Sequence, residues 1–426
     1  MLESDKSYLA ALHMLATVVA LIWCVAAQGK RTYSLPYPLT PGAMALLSVV
    51  AGSIAAHLLD VRDYVSYLTL WTVQVAGMIL GLASANALVR RAGVQQFVVR
   101  ERRVALLAGL TMGLSILSAV VFFGLQGIPA LGGDIEQGRV DAAASGTGYL
   151  RLMAYMAIPA STTLVAIRSR LGVPSALVAF LILIGLANRS PLLYLLCPLA
   201  LGAWGYGLYR LSGPRVIAGG LALVLLVAGI GGYRVISQEA FYNYAEYSED
   251  LASGNYAGVA LTALTHYAGV VPSNAVLTKN LVDSGELDIK LGETYFTLFI
   301  SALPGEQLSL DREIKELSGK DFIGGGTPPT LMGEGYANFW YFGTFFSSFF
   351  LITGLCYFAA RLSAARTVPQ VSARALAACV YGFFVCWTVM AQVAGLAGAS
   401  TFPVAAFIFY MFMWRTCVRN LGEAPR

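Results

Sequence analysis

Runs of about 20 apolar residues, broken by short polar segments, recur along most of the chain. Runs of that length without charges are what a helix needs to cross the hydrocarbon core of a bilayer. The pattern predicts spans near 8–28, 39–59, 64–89, 104–125, 149–167, 174–188, 190–208, 215–236, 335–360, 373–395 and 399–418. The sixth and seventh are short and are joined by Asn188-Arg189-Ser190-Pro191, which reads as a tight helical hairpin. Two connecting segments are longer than a connector requires, 126–148 and 237–334, and loops of that length usually carry function or fold separately. Within the second, 256–271 and 294–303 are apolar but too short to span. They read as interfacial or re-entrant helices. The alternating charges of "EQLSLDREIKELSGKD" (306–321) predict a solvated helix.

Composition agrees with this pattern. The chain has 426 residues, 57% hydrophobic and 12% charged, with a mean hydropathy of +0.68, whereas a soluble domain carries about 25% charged residues. The expected class is therefore an all-α polytopic membrane protein of about 11 transmembrane helices, with a single integral membrane domain over 1–426. The opening residues MLESDKS carry more acid than base, unlike a secretory signal, so the first run is expected to stay in the protein as a span. The six cysteines fall inside predicted spans and form no CxxC pair, which leaves no zinc framework and no loop disulfide.

The arginines set the topology. With the N-terminus outside, the short inside loops gather most of the basic residues, including Arg90, Arg91, Arg100, Arg102, Arg103, Arg168, Arg170 and Arg415. Only Glu101 and Glu423 oppose them. The basic balance then reports orientation, not nucleic acid, and 90–103 also fits a polybasic lipid-binding patch. The outer boundary keeps a second set: Arg139 in the first outside loop, Arg151 at the start of the fifth span, Arg189 in the hairpin and Arg234 at the end of the eighth span. Guanidinium groups match phosphate oxygens bidentately and keep their charge. Arginine at a span end also snorkels for structural reasons alone.

A diphosphate-linked sugar donor would need those cations, and transfer to a hydroxyl would need a base. The outside candidates for the base are Glu334, His266 and Asp141, with Asp134, Glu136 and Glu293 behind them. Glu334 lies between two glycines after a Gly/Pro segment and can equally stabilise a helix start. Tyr149, Thr327, Tyr336 and Asn338 are candidates for lining a sugar groove, although aromatic residues at a span start also form an interfacial belt.

Four stretches carry a family resemblance. "GGGTPPTLMGEGYANFWYFG" (324–343) resembles the segment that closes the large periplasmic loop of Wzy-type oligosaccharide repeat-unit polymerases, also called O-antigen polymerases. "GRVDAAASGTGYL", "LANRSPLLYLL" and "ETYFTLFISALPGE" resemble that family's first-loop arginine segment, arginine-bearing hairpin and proline-ended loop helix. The resemblance covers about 126–360. It implies a GT-C-like architecture in a bacterial inner membrane, N-terminus periplasmic, C-terminus cytoplasmic and active site facing the periplasm. It implies metal-independent transfer of a growing glycan from undecaprenyl pyrophosphate to the non-reducing end of a lipid-linked repeat unit, with no cofactor. Arg139 and Arg189 would hold pyrophosphate, and Glu334, Tyr336 and Asn338 would line the acceptor side. His266 and Arg234 have no counterpart in the family pattern. Membrane lipid, a chain-length regulator and a flippase would be partners. An O-antigen ligase and a polysaccharide-lipid transporter are the rival readings.

Overall fold

The computed structural model describes residues 8–13, 15, 16, 19, 55, 59–92, 97–131, 147–186, 189–205, 229, 245–300, 309–320, 326–363, 370–399 and 401–420. The expected spans at 8–28, 39–59 and 215–236 lie largely outside them. The described chain is mostly helical. In order it forms α1 (Val61–Ala92), β1 (Phe97–Val99), α2 (Glu101–Gln126), α3 (Gly148–Tyr155), α4 (Ala157–Ala166), α5 (Gly172–Gly185) and α6 (Arg189–Gly205). There follow α7 (Ala245–Ala252), α8 (Tyr256–Asp283), α9 (Glu293–Ile300), α10 (Leu310–Leu317), α11 (Thr330–Ser363), α12 (Val371–Gly398), α13 (Thr401–Cys417) and β2 (Val418–Asn420).

Among the described residues, three helices are long and apolar enough to cross a membrane: Val61–Ala85, Glu101–Gln126 and Val371–Leu396. Shorter apolar helices cover Gly172–Gly185, Ser190–Ala203 and Phe402–Cys417. The expected span at 149–167 is two helices, because Pro159 has no N–H to give to the Tyr155 carbonyl and its ring crowds that oxygen. The break falls at Met156. The expectation of an all-α chain needs one small correction, an antiparallel pair of three-residue strands that joins Phe97 to Asn420 and Val99 to Val418.

Close backbone contacts give the helix directions. On α1, a Cβ added at Gly77 would lie 2.4 Å from the Phe345 carbonyl oxygen, and one at Gly81 would lie 2.7 Å from that of Phe349. The Thr353 hydroxyl donates to the Gly81 carbonyl at 3.2 Å. Numbers rise together, so α1 and the body of α11 run parallel. Glycines four apart let two helix backbones meet where lipid gives no hydrophobic drive. Gly77→Leu is therefore expected to push α1 off α11 and lower the thermal midpoint in detergent by many degrees. Gly109→Leu, where nothing among the described residues lies within 4 Å, should leave it nearly unchanged.

Helix α6 runs antiparallel to α12. Gly202 meets Cys379, Gly382 meets Pro198, and the Cys386 thiol donates to the Leu193 carbonyl at 3.3 Å. The first residue of α6, Arg189, thus stands at the end of the bundle where α12 finishes. Helix α13 runs parallel to α3 and α4: Tyr155 packs on Phe402, and Thr162 meets the Tyr410 hydroxyl at 3.1 Å. Arg151, one turn before Tyr155, therefore shares that same end.

The segment expected as a continuous span over 335–360 does something else. Phe339 (φ −147°, ψ 36°) and Trp340 (φ 51°, ψ −140°) break the helix. The Thr344 hydroxyl donates to the Met332 carbonyl at 2.9 Å, although twelve residues of straight helix would separate them by about 18 Å. Residues 330–338 are a short helix folded back against the long one that follows. Gly335 and Gly343 make this possible, since a Cβ at Gly343 would sit 1.9 Å from the Gly335 carbonyl oxygen.

The loop helices cap this end. The apolar stretch expected at 256–271 is the first part of a longer, 28-residue helix, α8, which continues through Pro272. Asn255 caps its start by accepting from the Gly258 N–H at 3.1 Å. Helix α10 buries only Leu310 and Ile314, as a solvated helix with a single apolar stripe would. These helices share a core with Tyr64, Tyr67, Leu70 and Trp71 of α1 and with Met332, Tyr336 and Ala337 of the folded-back helix.

Candidate functional site

The Gly/Pro segment places one carboxylate. Pro328 and Pro329 cannot donate hydrogen bonds, so no helix runs through them. The segment is pinned from both sides: the Thr327 N–H donates to the Asp311 carbonyl at 2.8 Å, and the Asn274 amide donates to the Pro328 carbonyl at 3.0 Å. A helix then starts at Thr330, whose hydroxyl accepts from the Gly333 N–H at 3.2 Å. Gly333 lies against Thr278 of α8, and Gly335 lies against Thr344, where a Cβ would meet a backbone nitrogen at 2.6 Å. The two glycines flank Glu334 because both neighbouring surfaces are occupied.

Glu334 is fully buried, at 0% exposure. Its Oε1 accepts from the Thr294 hydroxyl of α9 at 2.9 Å, and its Oε2 accepts a short bond from the Leu396 N–H. That N–H is available because Gly395 (φ +77°) interrupts α12. A carboxylate taken out of water and lipid persists only with such donors. The Asn338 amide donates to the Thr294 hydroxyl at 2.6 Å and to the Glu334 carbonyl at 2.8 Å, and its oxygen accepts from the Gly292 N–H at 2.9 Å. One chain of polar contacts thus ties the folded-back helix, α9 and the end of α12 together. Thr294, its central member, is a residue that sequence reasoning missed. A threonine beside Glu293 in an apolar loop helix gives no signal until the fold brings it to Glu334.

A second cluster lies beside it. The Tyr336 hydroxyl donates to Asp283 at 2.7 Å. Lys279 pairs with the same carboxylate and sits 5.6 Å from the Tyr336 ring. Burial alone pushes the Asp283 carboxyl up, but the bonds from Lys279 and Tyr336 outweigh it and hold the group below its ordinary value of 3.8. A carboxylate whose pKa falls on folding adds stability above its unfolded pKa and loses it as pH drops through the folded one. Asp283→Asn is expected to lower the thermal midpoint slightly at pH 7, with the difference from wild type shrinking as pH falls below the ordinary carboxylate range.

The other expected site residues divide. Thr327, Tyr336 and Asn338 are buried at 2%, 4% and 0% exposure, so in this conformation they are packed inside the protein and do not line an open groove. Tyr149 is 44% exposed, and Arg151 is half-buried in the first turn of α3. Arg139, Asp141 and Arg234 lie outside the described residues, as do the side chains of Arg189 and His266; the backbone places Arg189 at the start of α6 and His266 within α8. Among the described residues, no group of three or more His, Cys, Asp and Glu side chains comes together as metal ligands would.

No family model, curated protein or solved structure matches the chain.

Proposed function

We propose that this protein is a membrane glycan polymerase. It would transfer a growing chain from undecaprenyl pyrophosphate to the non-reducing end of a lipid-linked oligosaccharide repeat unit, at the outer face of a bacterial inner membrane, for O-antigen or other surface polysaccharide. The observation that carries the reading is a convergence at one bundle end. Arg151, the helix start that bears Arg189 and the Glu334–Thr294–Asn338 chain all lie there, and the last sits beneath the Gly/Pro segment whose sequence resembles the polymerase loop end.

In this reading Arg139, Arg151, Arg189 and Arg234 bind the pyrophosphate and stabilise it as it leaves. Glu334, being sealed from solvent, orients the acceptor side by fixing Thr294 and Asn338. The acceptor proton goes to a group outside that chain of contacts, with His266 and Asp141 as the candidates. A chain-length regulator and a flippase would be the natural partners.

The test is elongation by the purified protein in detergent, supplied with undecaprenyl-pyrophosphate-linked repeat units. A ladder of products that grows with time is the expected result. A single transfer of finished polymer to lipid A core would make the protein a ligase. No elongation with any repeat unit from the source cell, together with movement of lipid-linked glycan across vesicles, would make it a transporter.

A further inference from the structure

The opposite end of the bundle carries a site that the glycan chemistry does not use. Arg100, Arg102 and Arg103 are exposed at the start of α2, and Arg415 is exposed in the last turn of α13. Arg374, in the first turn of α12, buries its Nε without a hydrogen-bond partner. None of these five guanidinium groups pairs with an acid among the described residues.

What gathers them is the two-stranded clamp. The Arg100 N–H donates to the Cys417 carbonyl at 2.9 Å. Gln370 bridges both sides of Val99, accepting from its N–H at 2.8 Å and donating to its carbonyl at 3.0 Å. A nearby carboxylate, Glu101, accepts from Gln370 at 3.0 Å and from the Ser372 hydroxyl. It fastens α2 to α12 and offsets one positive charge, which leaves the cluster of five arginines strongly basic. The Trp414 ring packs on Phe97 at 4.7 Å. An indole beside an arginine at the end of an apolar helix is the usual marker of the headgroup level.

We propose that this clamp is a seat for the phosphate of an anionic phospholipid. Several cations without an acidic partner among the described residues, carried on three apolar helix ends, with the start of α2 adding its partial positive charge, match a phosphodiester held at that depth. The net positive charge of the cluster selects an anionic headgroup over a zwitterionic one, whose phosphate is offset by its own ammonium.

The experiment uses the full chain in nanodiscs, with phosphatidylglycerol and phosphatidylcholine in competition and bound lipid counted by native mass spectrometry. Retention of phosphatidylglycerol over phosphatidylcholine by roughly a hundredfold or more is expected. Arg102→Gln with Arg103→Gln leaves Arg100 and the clamp intact. It should cut that preference by roughly 30-fold, at about 1 kcal/mol per basic side chain. The corresponding pair of lysine substitutions should keep most of it. Arg415→Gln alone, by the same measure, should cut it roughly fivefold. No preference in the wild type, or the same preference in the Gln pair as in the wild type, overturns the proposal. Displacement of the lipid by millimolar inorganic phosphate would also overturn it, by making this a site for free phosphate.

Discussion

Gly343→Leu is expected to prevent the protein from accumulating as a monodisperse species in detergent. The first carbon of the new side chain would fall 1.9 Å from the Gly335 carbonyl oxygen, which is backbone and has no rotamer to move. Overpacking in a core costs about 1–3 kcal/mol when side chains can shift. Here the fold-back itself must open. Opening it would break the bond from Thr344 to Met332 and would pull Glu334 away from Thr294 and Leu396. The check is size-exclusion chromatography with a thermal melt, and Gly354→Leu on the same helix serves as the control. Among the described residues Gly354 has nothing within 4 Å, so its substitution should melt as the wild type does. Equal melts for the two variants would mean that the helix runs straight through 339–340.

Glu334→Gln is expected to cut chain elongation at least tenfold and to cost about 1–3 kcal/mol of stability. The carboxylate accepts from two donors with two oxygens. A glutamine has one acceptor oxygen, so its NH₂ must face either the Thr294 hydroxyl or the Leu396 N–H, and one donor loses its partner. Thr294 provides the internal check. Thr294→Ser keeps the hydroxyl and should retain activity, whereas Thr294→Val should reproduce the effect of Glu334→Gln. If Glu334→Gln made normal chain lengths while Thr294→Val did not, the carboxylate would have no part in orienting the acceptor.

Much of the fold was legible. The helices expected at 64–89, 104–125, 174–188, 190–208 and 373–395 have their counterparts in α1, α2, α5, α6 and α12, because long apolar runs admit little else. The fold-back at Phe339–Trp340 was hidden, since a run of aromatic residues is equally apolar whether straight or bent. The paired glycines at 335 and 343 were the available signal, as were Gly77 and Gly81 for the α1–α11 contact. The loop helix α8 was longer than its hydropathy suggested, because it continues past Pro272 through the more polar residues up to Asp283. Around Glu334 the sequence marked the carboxylate and the Gly/Pro wall. It did not mark Thr294 or the Leu396 N–H, which arrive from distant segments and are recruited only by the tertiary fold.

The strand pair also bears on biosynthesis. Its second half leaves the ribosome roughly three hundred residues after its first. At ~5–20 residues per second the edge of β1 and the bonding groups around Arg100 wait for tens of seconds beside nascent helices that could capture them. A truncation just before Val418 would make that interval permanent. Such a protein should insert normally yet be cleared by quality-control proteases, and a stop codon there would reveal a dependence on the later-made strand.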